Sequence, residues 1–271
     1  MKTVVLILVI CAGAAFAEQQ PSPSAAPARH VPQAKTHAEY NDYNAAYAIN
    51  GGAAMEKAAD DFAAKYPTSE LRSYLYAKAL HEYQSEDNPA RMLSTGNKLL
   101  QIDPDNAIAL VLTATVMADS LADGDKDREQ KVTSIRKNAS HALETVNSSF
   151  VAPANATPEQ ITAYKNTLQS MAHSALGIVA LKSAEDSSAE SELKAAAELN
   201  TSQPDPYIWY HLALAQDHLK KYDAALVSVN RAVEYSTGNR DLGDLAKGEQ
   251  KRLLTLTGAQ TQDKPQSPAP K

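Results

Sequence analysis

Apolar and small side chains recur along most of the chain at the spacing of an amphipathic α-helix. The clearest stretch lies between Asp205 and Gly238, where an apolar stripe is interrupted by Lys220-Lys221 and then resumes. Asp205 is a favourable helix cap, and Pro206 suits the first helical turn. The stripe predicts two antiparallel helices joined by a short turn. Its members are Trp209, Leu212, Ala213 and Gln216 in the first helix and Tyr222, Ala225, Leu226, Val229, Ala232 and Val233 in the second.

The same pattern occurs 36 residues earlier, where Gly177 stands in the place of Ala213. The other matching positions are Leu176 with Leu212, Ala189 with Ala225, Leu193 with Val229, and Ala196 with Ala232. Capping boxes at 157–160 and 187–190 predict where the helices of this earlier pair begin. Turn signals at Gly51-Gly52, Asn88-Pro89 and Asp103-Pro104 separate three further pairs. We therefore expect five helix pairs, followed by a capping helix over 241–256.

The repeated unit resembles the tetratricopeptide repeat, in which an aromatic residue, a Leu and a small residue precede Tyr, Ala and Ala in the second helix. The residues that carry the resemblance are Trp209, Leu212, Ala213, Tyr222, Ala225 and Ala232, with His173, Leu176, Gly177, Ala189 and Ala196 in the preceding pair. The segment 55–83 also resembles repeats of bacterial envelope proteins. The resemblance implies an all-α, right-handed α-solenoid of antiparallel helix pairs, with about five repeats and a C-terminal capping helix.

In this family the first helix of each pair lines a concave surface that commonly binds peptides or protein segments. Carried over residue by residue, that surface comprises Tyr74, Ala77, His81, Ile108, Val111, Thr115, Met171, Ser174, Ile178, Tyr207, Tyr210, Leu214 and His218. The partner-binding candidates among them are Tyr74, His81, Tyr207, Tyr210, Leu214 and His218. Tyr207 and Tyr210 either anchor a ligand through their rings or pack against the next helix. The resemblance implies a non-catalytic adaptor or scaffold with a protein or peptide partner.

The start of the chain has the pattern of a cleaved secretory signal. Met1-Lys2 precedes an apolar stretch, and Ala15-Phe16-Ala17 offers a small-x-small cleavage site before Glu18. We expect a signal peptide over 1–17, a disordered Pro/Ala-rich linker over 18–35, the repeat domain over 36–258 and a disordered tail over 259–271. The mature protein would then be periplasmic or secreted, with no stable membrane span. An alternative is lipidation at Cys11, the single cysteine, which would give a membrane-anchored assembly lipoprotein.

Net charge and the absence of known motifs limit the binding and catalytic functions that the sequence suggests. The 271 residues carry a formal net charge of −6, which argues against a nucleic-acid surface. No H-E-x-x-H, G-x-S-x-G, Walker or G-x-G-x-x-G motif occurs, so we expect no enzyme activity, metal or cofactor. The segment 119–136 is the alternative place for an enzyme or small-ligand site. Its acids at 123, 125 and 127 have the rhythm of a calcium loop, but Arg128 stands where that loop needs Gly.

Overall fold

The computed structural model describes residues 32–150 and 155–262, with side chains described up to residue 258. Eleven α-helices account for these residues, and they contain no strand. Their bounds are α1 His37–Tyr47, α2 Gly52–Lys65, α3 Arg72–Ser85, α4 Pro89–Ile102, α5 Ala107–Ser120, α6 Arg128–Ser149, α7 Pro158–Lys182, α8 Asp186–Leu199, α9 Pro206–His218, α10 Tyr222–Tyr235 and α11 Arg240–Gln262. The predicted five helix pairs and the capping helix are confirmed. The predicted signal peptide, Cys11 and most of the first linker lie outside the described residues.

Three of the turns inside helix pairs share one backbone geometry. Asp87, Ala184 and Lys220 each adopt a positive φ of 51°, 57° and 59°. In each turn the following amide N–H donates to the carbonyl five residues back, at 3.0 Å from Asn88, 2.9 Å from Glu185 and 2.8 Å from Lys221. This Schellman-type closure ends one helix and lets the next begin two residues after the left-handed residue. The repeat is therefore present in the backbone as well as in the side-chain pattern.

Helix starts follow the sequence at some positions and depart from it at others. The box at 157–160 is confirmed, since Thr157 N donates to Gln160 Oε1 at 2.9 Å and Gln160 N donates to Thr157 Oγ1 at 3.3 Å. The box predicted from Ser187 is wrong, because α8 already begins at Asp186 and its N-cap is Glu185, which makes no side-chain capping bond. The tight turn at Ala184 restarts the chain before Ser187 is reached.

Two helices extend further than the sequence predicts. Helix α6 begins at Arg128, so only residues 121–127 separate it from α5. Helix α11 continues to Gln262, four residues past the predicted end of the domain at 258. No proline interrupts the chain between 240 and 262, and the first one beyond is Pro265, so nothing in the local sequence stops the helix earlier.

The chain divides within α7 into two compact units, one up to Ala175 and one from Leu176 onward. In the first unit, each helix from α1 to α5 packs on the next one in sequence, and α5 packs on α6. Its core includes the fully buried Met55, Leu75, Leu80 and Leu99. In the second unit, α8 to α11 pack in the same sequential manner around Leu193, Leu212, Val229 and Leu253. Sequential packing of this kind is the mark of a helical repeat array.

Candidate functional site

One face of helix α9 packs against the neighbouring helices of the second unit. The carboxylate of Asp205 accepts the N–H of Tyr207 at 2.9 Å and so caps the helix, as the sequence predicts. Ile208, Leu212, Ala213 and Ala215 are buried on the face that packs against α8 and α10. Gln216 is buried beside them and accepts a hydrogen bond from Ser228 of α10 at 2.7 Å. Because these contacts fix the rotation of α9 about its axis, they also determine which of its side chains lie on the opposite, less buried face.

Tyr207, Tyr210, Leu214 and His218 lie at helical spacing along that remaining face, and we call them the α9 surface. The first three are half-buried and His218 is exposed. The predicted candidates of this repeat therefore occupy one helix face and stay partly open to solvent. Within the unit this face is flanked by Lys182 near the end of α7 and by Glu249 and Arg252 of α11, which interact with α9 side chains.

Asn239, which directly precedes α11, and residues of α11 interact with Tyr207, Tyr210 and Asp217. The amide of Asn239 donates to the Tyr207 hydroxyl at 3.1 Å, and its carbonyl oxygen accepts the N–H of Leu242 at 3.3 Å. Burial raises the pKa of Tyr210, and the nearby Glu249 carboxylate adds to the rise. Tyr210 therefore packs partly against the following helix, the alternative raised from the sequence, and Tyr207 is held by its hydroxyl, while both side chains stay partly open to solvent.

An ion-pair cluster closes the end of this face. The Arg252 guanidinium binds Glu249 at 2.7 and 2.9 Å and Asp217 at 2.5 Å. The hydrogen bonds to Glu249, followed by those to Asp217, hold the pKa of Arg252 above its ordinary value. Because two carboxylates surround one guanidinium, the cluster leaves one net negative charge next to the α9 surface.

Two histidines of α9 have different environments. His211 is half-buried, its Nδ1 lies 2.9 Å from the Tyr207 carbonyl, and burial lowers its pKa to about 4. His218 is exposed, and its Nδ1 lies 2.9 Å from Asp186 at the start of α8. His211 is therefore a neutral packing residue at neutral pH, whereas His218 ties α9 to its neighbour.

The predicted residues of the first unit are less uniform. Tyr74, Ala77, His81, Ile108, Thr115, Met171 and Ser174 are half-buried. Val111 is fully buried and Ile178 of the second unit is buried at 5% exposure, so the prediction that these two line an open surface is wrong. Val111 sits on α5, which packs against both α4 and α6, and a branched apolar side chain at such a position is drawn into the core. The first-unit candidates and the α9 surface belong to different units.

Most of the small and aliphatic positions that define the repeat are buried. Leu212, Ala213, Ala225 and Ala232 are at most 3% exposed, as are Ala189, Leu193 and Ala196 in the preceding pair. A Cβ added at Gly177 would lie 2.5 Å from Cγ of Leu193, so the small residue is required where α7 and α8 cross. Together with the recurring turn, these positions decide the fold. The described residues therefore form an all-α repeat fold of antiparallel helix pairs.

Comparison with solved structures gives structural neighbours of this chain. No protein-family model and no curated protein matches the chain. A thermophilic TPR protein of Thermus thermophilus, TTC0263, shares 17% identity at a TM-score of 0.47, covering 78% of this chain and 98% of that one. The MamA protein shares 15% identity at 0.42, covering 73% of this chain and 98% of that one. The Cut9–Hcn1 structure shares 16% identity at 0.35, covering 79% of this chain and 41% of that one.

The structure also contains a charged cluster between α2, α3 and α4 that the sequence analysis does not predict. Lys98 Nζ lies 2.9 Å from Glu56 Oε1 and 2.9 Å from Asp60 Oδ1. Tyr83 donates to Glu56 at 2.6 Å, and Tyr76 donates to Asp60 at 2.7 Å. Burial raises the pKa of Glu56, but the hydrogen bonds from Tyr83 and Lys98 outweigh it and hold the pKa below its usual value. Burial and the bond to Glu56 raise the pKa of Tyr83 to about 12.

This cluster borders an open depression of about 210 Å³, lined in part by Lys57 and Arg91. The sequence suggests only that Asp60-Asp61 lie on a wet helix face. That is correct for Asp61, which pairs with Lys57 at 2.6 Å in the open. It is also correct for Asp60, which is exposed and in addition binds the side chains of Tyr76 and Lys98 from two other helices. Asp60 and Lys98 are 38 residues apart, so a local sequence pattern cannot predict that they pair.

The acids of the loop 121–127 are engaged within the protein. Asp125 accepts the N–H of Ala122 at 3.0 Å, and Lys131 lies 3.0 Å from Asp125 and 3.3 Å from Asp127. Arg128 lies 3.6 Å from Asp123. Over residues 32–150 and 155–262, no group of three or more His, Cys, Asp or Glu residues is placed to hold a metal ion. In the same part of the chain, no helix has the length and apolar character that crossing a membrane requires.

Proposed function

We propose that this protein is a non-catalytic adaptor or scaffold that binds a protein or peptide segment through the α9 surface. The observation that carries the proposal is the row Tyr207, Tyr210 and Leu214, which stays half-open after α8, α10 and α11 have packed around α9. Rings held at one edge, as Tyr207 is by Asn239, are pre-ordered and lose little conformational freedom on binding. Tyrosine is also enriched among residues that dominate binding energy.

The cluster of Arg252, Glu249 and Asp217 adds a polar rim to this apolar row. A partly apolar centre with charged residues at its edge is the usual anatomy of a protein interface. The α9 surface takes an extended or helical segment whose apolar side chains lie over Tyr210 and Leu214.

Site-specific photo-crosslinking tests this proposal. A photoreactive benzoylphenylalanine replaces Leu214 in one preparation and Val227 in another, and each is irradiated in envelope extract. Val227 is a suitable control because it is 60% exposed on α10 and is not part of the α9 surface. We expect a discrete adduct from position 214 only, and its loss when Tyr210→Ala is added. Equal adducts at both positions, or none at 214, would overturn the proposal.

We further propose that the protein acts in the bacterial envelope, as a periplasmic or secreted protein released by cleavage after Ala17. The support is the pattern of residues 1–17 in the sequence. Intact mass spectrometry of the protein isolated from cells measures this directly. We expect a mass that begins at Glu18 without lipid; a lipid adduct on Cys11 would instead assign a membrane-anchored lipoprotein.

A further inference from the structure

The turn between α1 and α2 contains a reactive pair of residues, Asn50 and Gly51. It is the single Asn-Gly pair in the sequence. The backbone nitrogen that follows an asparagine can attack the side-chain amide carbon Cγ, which closes a succinimide ring and releases ammonia. Water then opens the ring to aspartate or isoaspartate. Glycine in the second position favours the attack, because it has no Cβ to hinder the approach.

The reacting atoms of this pair, Cγ of Asn50 and the nitrogen of Gly51, lie outside the hydrogen-bond ladders of both helices. Helix α1 ends at Tyr47, and α2 begins at Gly52. Asn50 is exposed, and a Cβ added at Gly51 would meet no atom within 4 Å. Gly51 has a φ of 87°, a conformation that side chains other than glycine rarely adopt. The helical backbone therefore does not shield the site of attack.

Two side chains of α3 contact the groups that would react. Glu82 Oε2 accepts the N–H of Gly51 at 3.2 Å, and Lys78 Nζ donates to Oδ1 of Asn50 at 3.3 Å. Lys78 and Glu82 are four residues apart and so lie on one face of the helix. A carboxylate on the attacking N–H is placed as a general base. A cation on the amide oxygen is placed where negative charge develops during the attack.

We propose that the first unit contains a self-modifying site, at which Glu82 and Lys78 promote the conversion of Asn50 to aspartate or isoaspartate. Glu82 takes the proton from Gly51 as the nitrogen of Gly51 bonds to Cγ of Asn50. Lys78 stabilises the negative charge that gathers on Oδ1. The bond from Cγ to Nδ2 then breaks, and Nδ2 leaves as ammonia with the proton that Glu82 removed. Water is the single co-reactant, since it adds to a carbonyl of the ring and opens it.

The products change the turn in two ways. Either product places a carboxylate beside Lys78 where an amide stood, which adds one negative charge to the first unit. Isoaspartate also lengthens the main chain by one carbon atom directly before Gly51, the N-cap of α2. The modification involves residues of the first unit and goes beyond the proposed adaptor function.

The rate of conversion in the full chain tests this. The protein is incubated at neutral pH, digested at intervals, and analysed by chromatography and mass spectrometry that separate asparagine, aspartate and isoaspartate at position 50. A synthetic peptide of residues 46–55 gives the rate without the α3 side chains. We expect the protein to react at least about tenfold faster than the peptide, and Glu82→Gln to lose about that factor. Glutamine keeps an acceptor for the N–H but is not a base.

Glu86→Gln is the matched control for Glu82→Gln. Glu86 accepts the N–H of Gly52 at 2.6 Å, one residue beyond the attacking nitrogen. This variant also alters the turn, but it is expected to react at the wild-type rate. Asn147, which is exposed within α6, is expected to stay unmodified. Matched melting temperatures show that the variants are folded.

Three results would overturn the proposal. The first is a rate in the protein equal to or below that in the peptide, since the fold would then give no assistance. The second is an unchanged rate in Glu82→Gln, and the third is the same slowing in Glu86→Gln as in Glu82→Gln. None of these results bears on the crosslinking expected at Leu214.

Discussion

At the scale of single residues, the close crossing of two helices in the repeat depends on a glycine. Gly177 lies where α7 and α8 cross, and an added Cβ would be 2.5 Å from Cγ and 2.9 Å from Cδ2 of Leu193 and 3.2 Å from its backbone nitrogen. A flexible side chain could move aside, but the Leu193 side chain is buried and the backbone cannot yield cheaply.

Gly177→Ala is therefore expected to destabilise the protein by about 1–2 kcal/mol, although alanine favours helix by about 1 kcal/mol over glycine. Gly248→Ala in α11 is the matched control, because its Cβ would meet no atom within 4 Å. That change is expected to stabilise the protein slightly. Urea unfolding of both variants measures the difference, and equal effects would contradict the close crossing at Gly177.

His211 makes stability depend on pH. Its folded pKa of about 4 lies below the ordinary value of 6.5, so the unfolded state binds the proton more tightly. Stability conferred by this residue is complete above about pH 6.5 and is lost as the pH falls toward about 4. Lowering the pH from about 7 to about 5 should cost up to about 2 kcal/mol.

Urea unfolding of wild type and His211→Gln at the two pH values checks this expectation. Other titrating groups contribute equally to both proteins, so the variant should lose less stability than wild type over the same interval. Identical losses would show that His211 is not the responsible group.

At the scale of helices, two long side chains of α3 and its C-cap residue Glu86 bind the carboxyl end of α1 and the amino end of α2. Lys78 binds the carboxyl end of α1, while Glu82 accepts the N–H of Gly51 at 3.2 Å and Glu86 that of Gly52 at 2.6 Å. The cation meets the negative end of one helix dipole and the carboxylates meet the positive end of the next. The turn between α1 and α2 is thus stabilised by a helix about thirty residues later.

Lys78→Met keeps the apolar stem but removes these bonds and is expected to cost about 1–2 kcal/mol. The loss should be local, with faster amide hydrogen exchange in α1 and at Gly51. Lys57→Met is the comparison, since Lys57 makes an exposed pair with Asp61 that contributes little. Equal exchange in α1 in the two variants would rule out this role of Lys78.

At the scale of the molecule, sequential packing predicts graded rather than uniform responses within the first unit. Each helix there contacts its neighbours in sequence, so stability is a sum of local and nearest-neighbour contributions. Leu80 of α3 is fully buried, and truncating such a residue costs about 2–5 kcal/mol.

Leu80→Ala should therefore reduce hydrogen-exchange protection most in α2, α3 and α4 and least in α6. Hydrogen exchange monitored by mass spectrometry resolves the helices individually. An equal loss in every helix of the unit would mean that it opens as a single cooperative body.

Local signals in the sequence were sufficient for the helices and most of their limits. The apolar stripe of α9 and α10, the cap at Asp205 and the box at Thr157 all act within a few residues, and each is seen in the structure. The failed box at Ser187 shows the limit, because a left-handed turn at Ala184 preceded it and started α8 earlier. The sequence does not predict a left-handed turn at Ala184, because alanine seldom adopts a positive φ.

The sequence by itself determined the fold class, the five helix pairs and the small residues at their crossings, because helical periodicity and turn chemistry are properties of short segments. Only the tertiary structure decided which members of a stripe remain open, separating the buried Val111 from the half-open Tyr207. It also joined Glu56 and Asp60 to Lys98 across three helices. Exposure and ion pairing depend on neighbours that are distant in sequence, and those neighbours are set only when the helices pack.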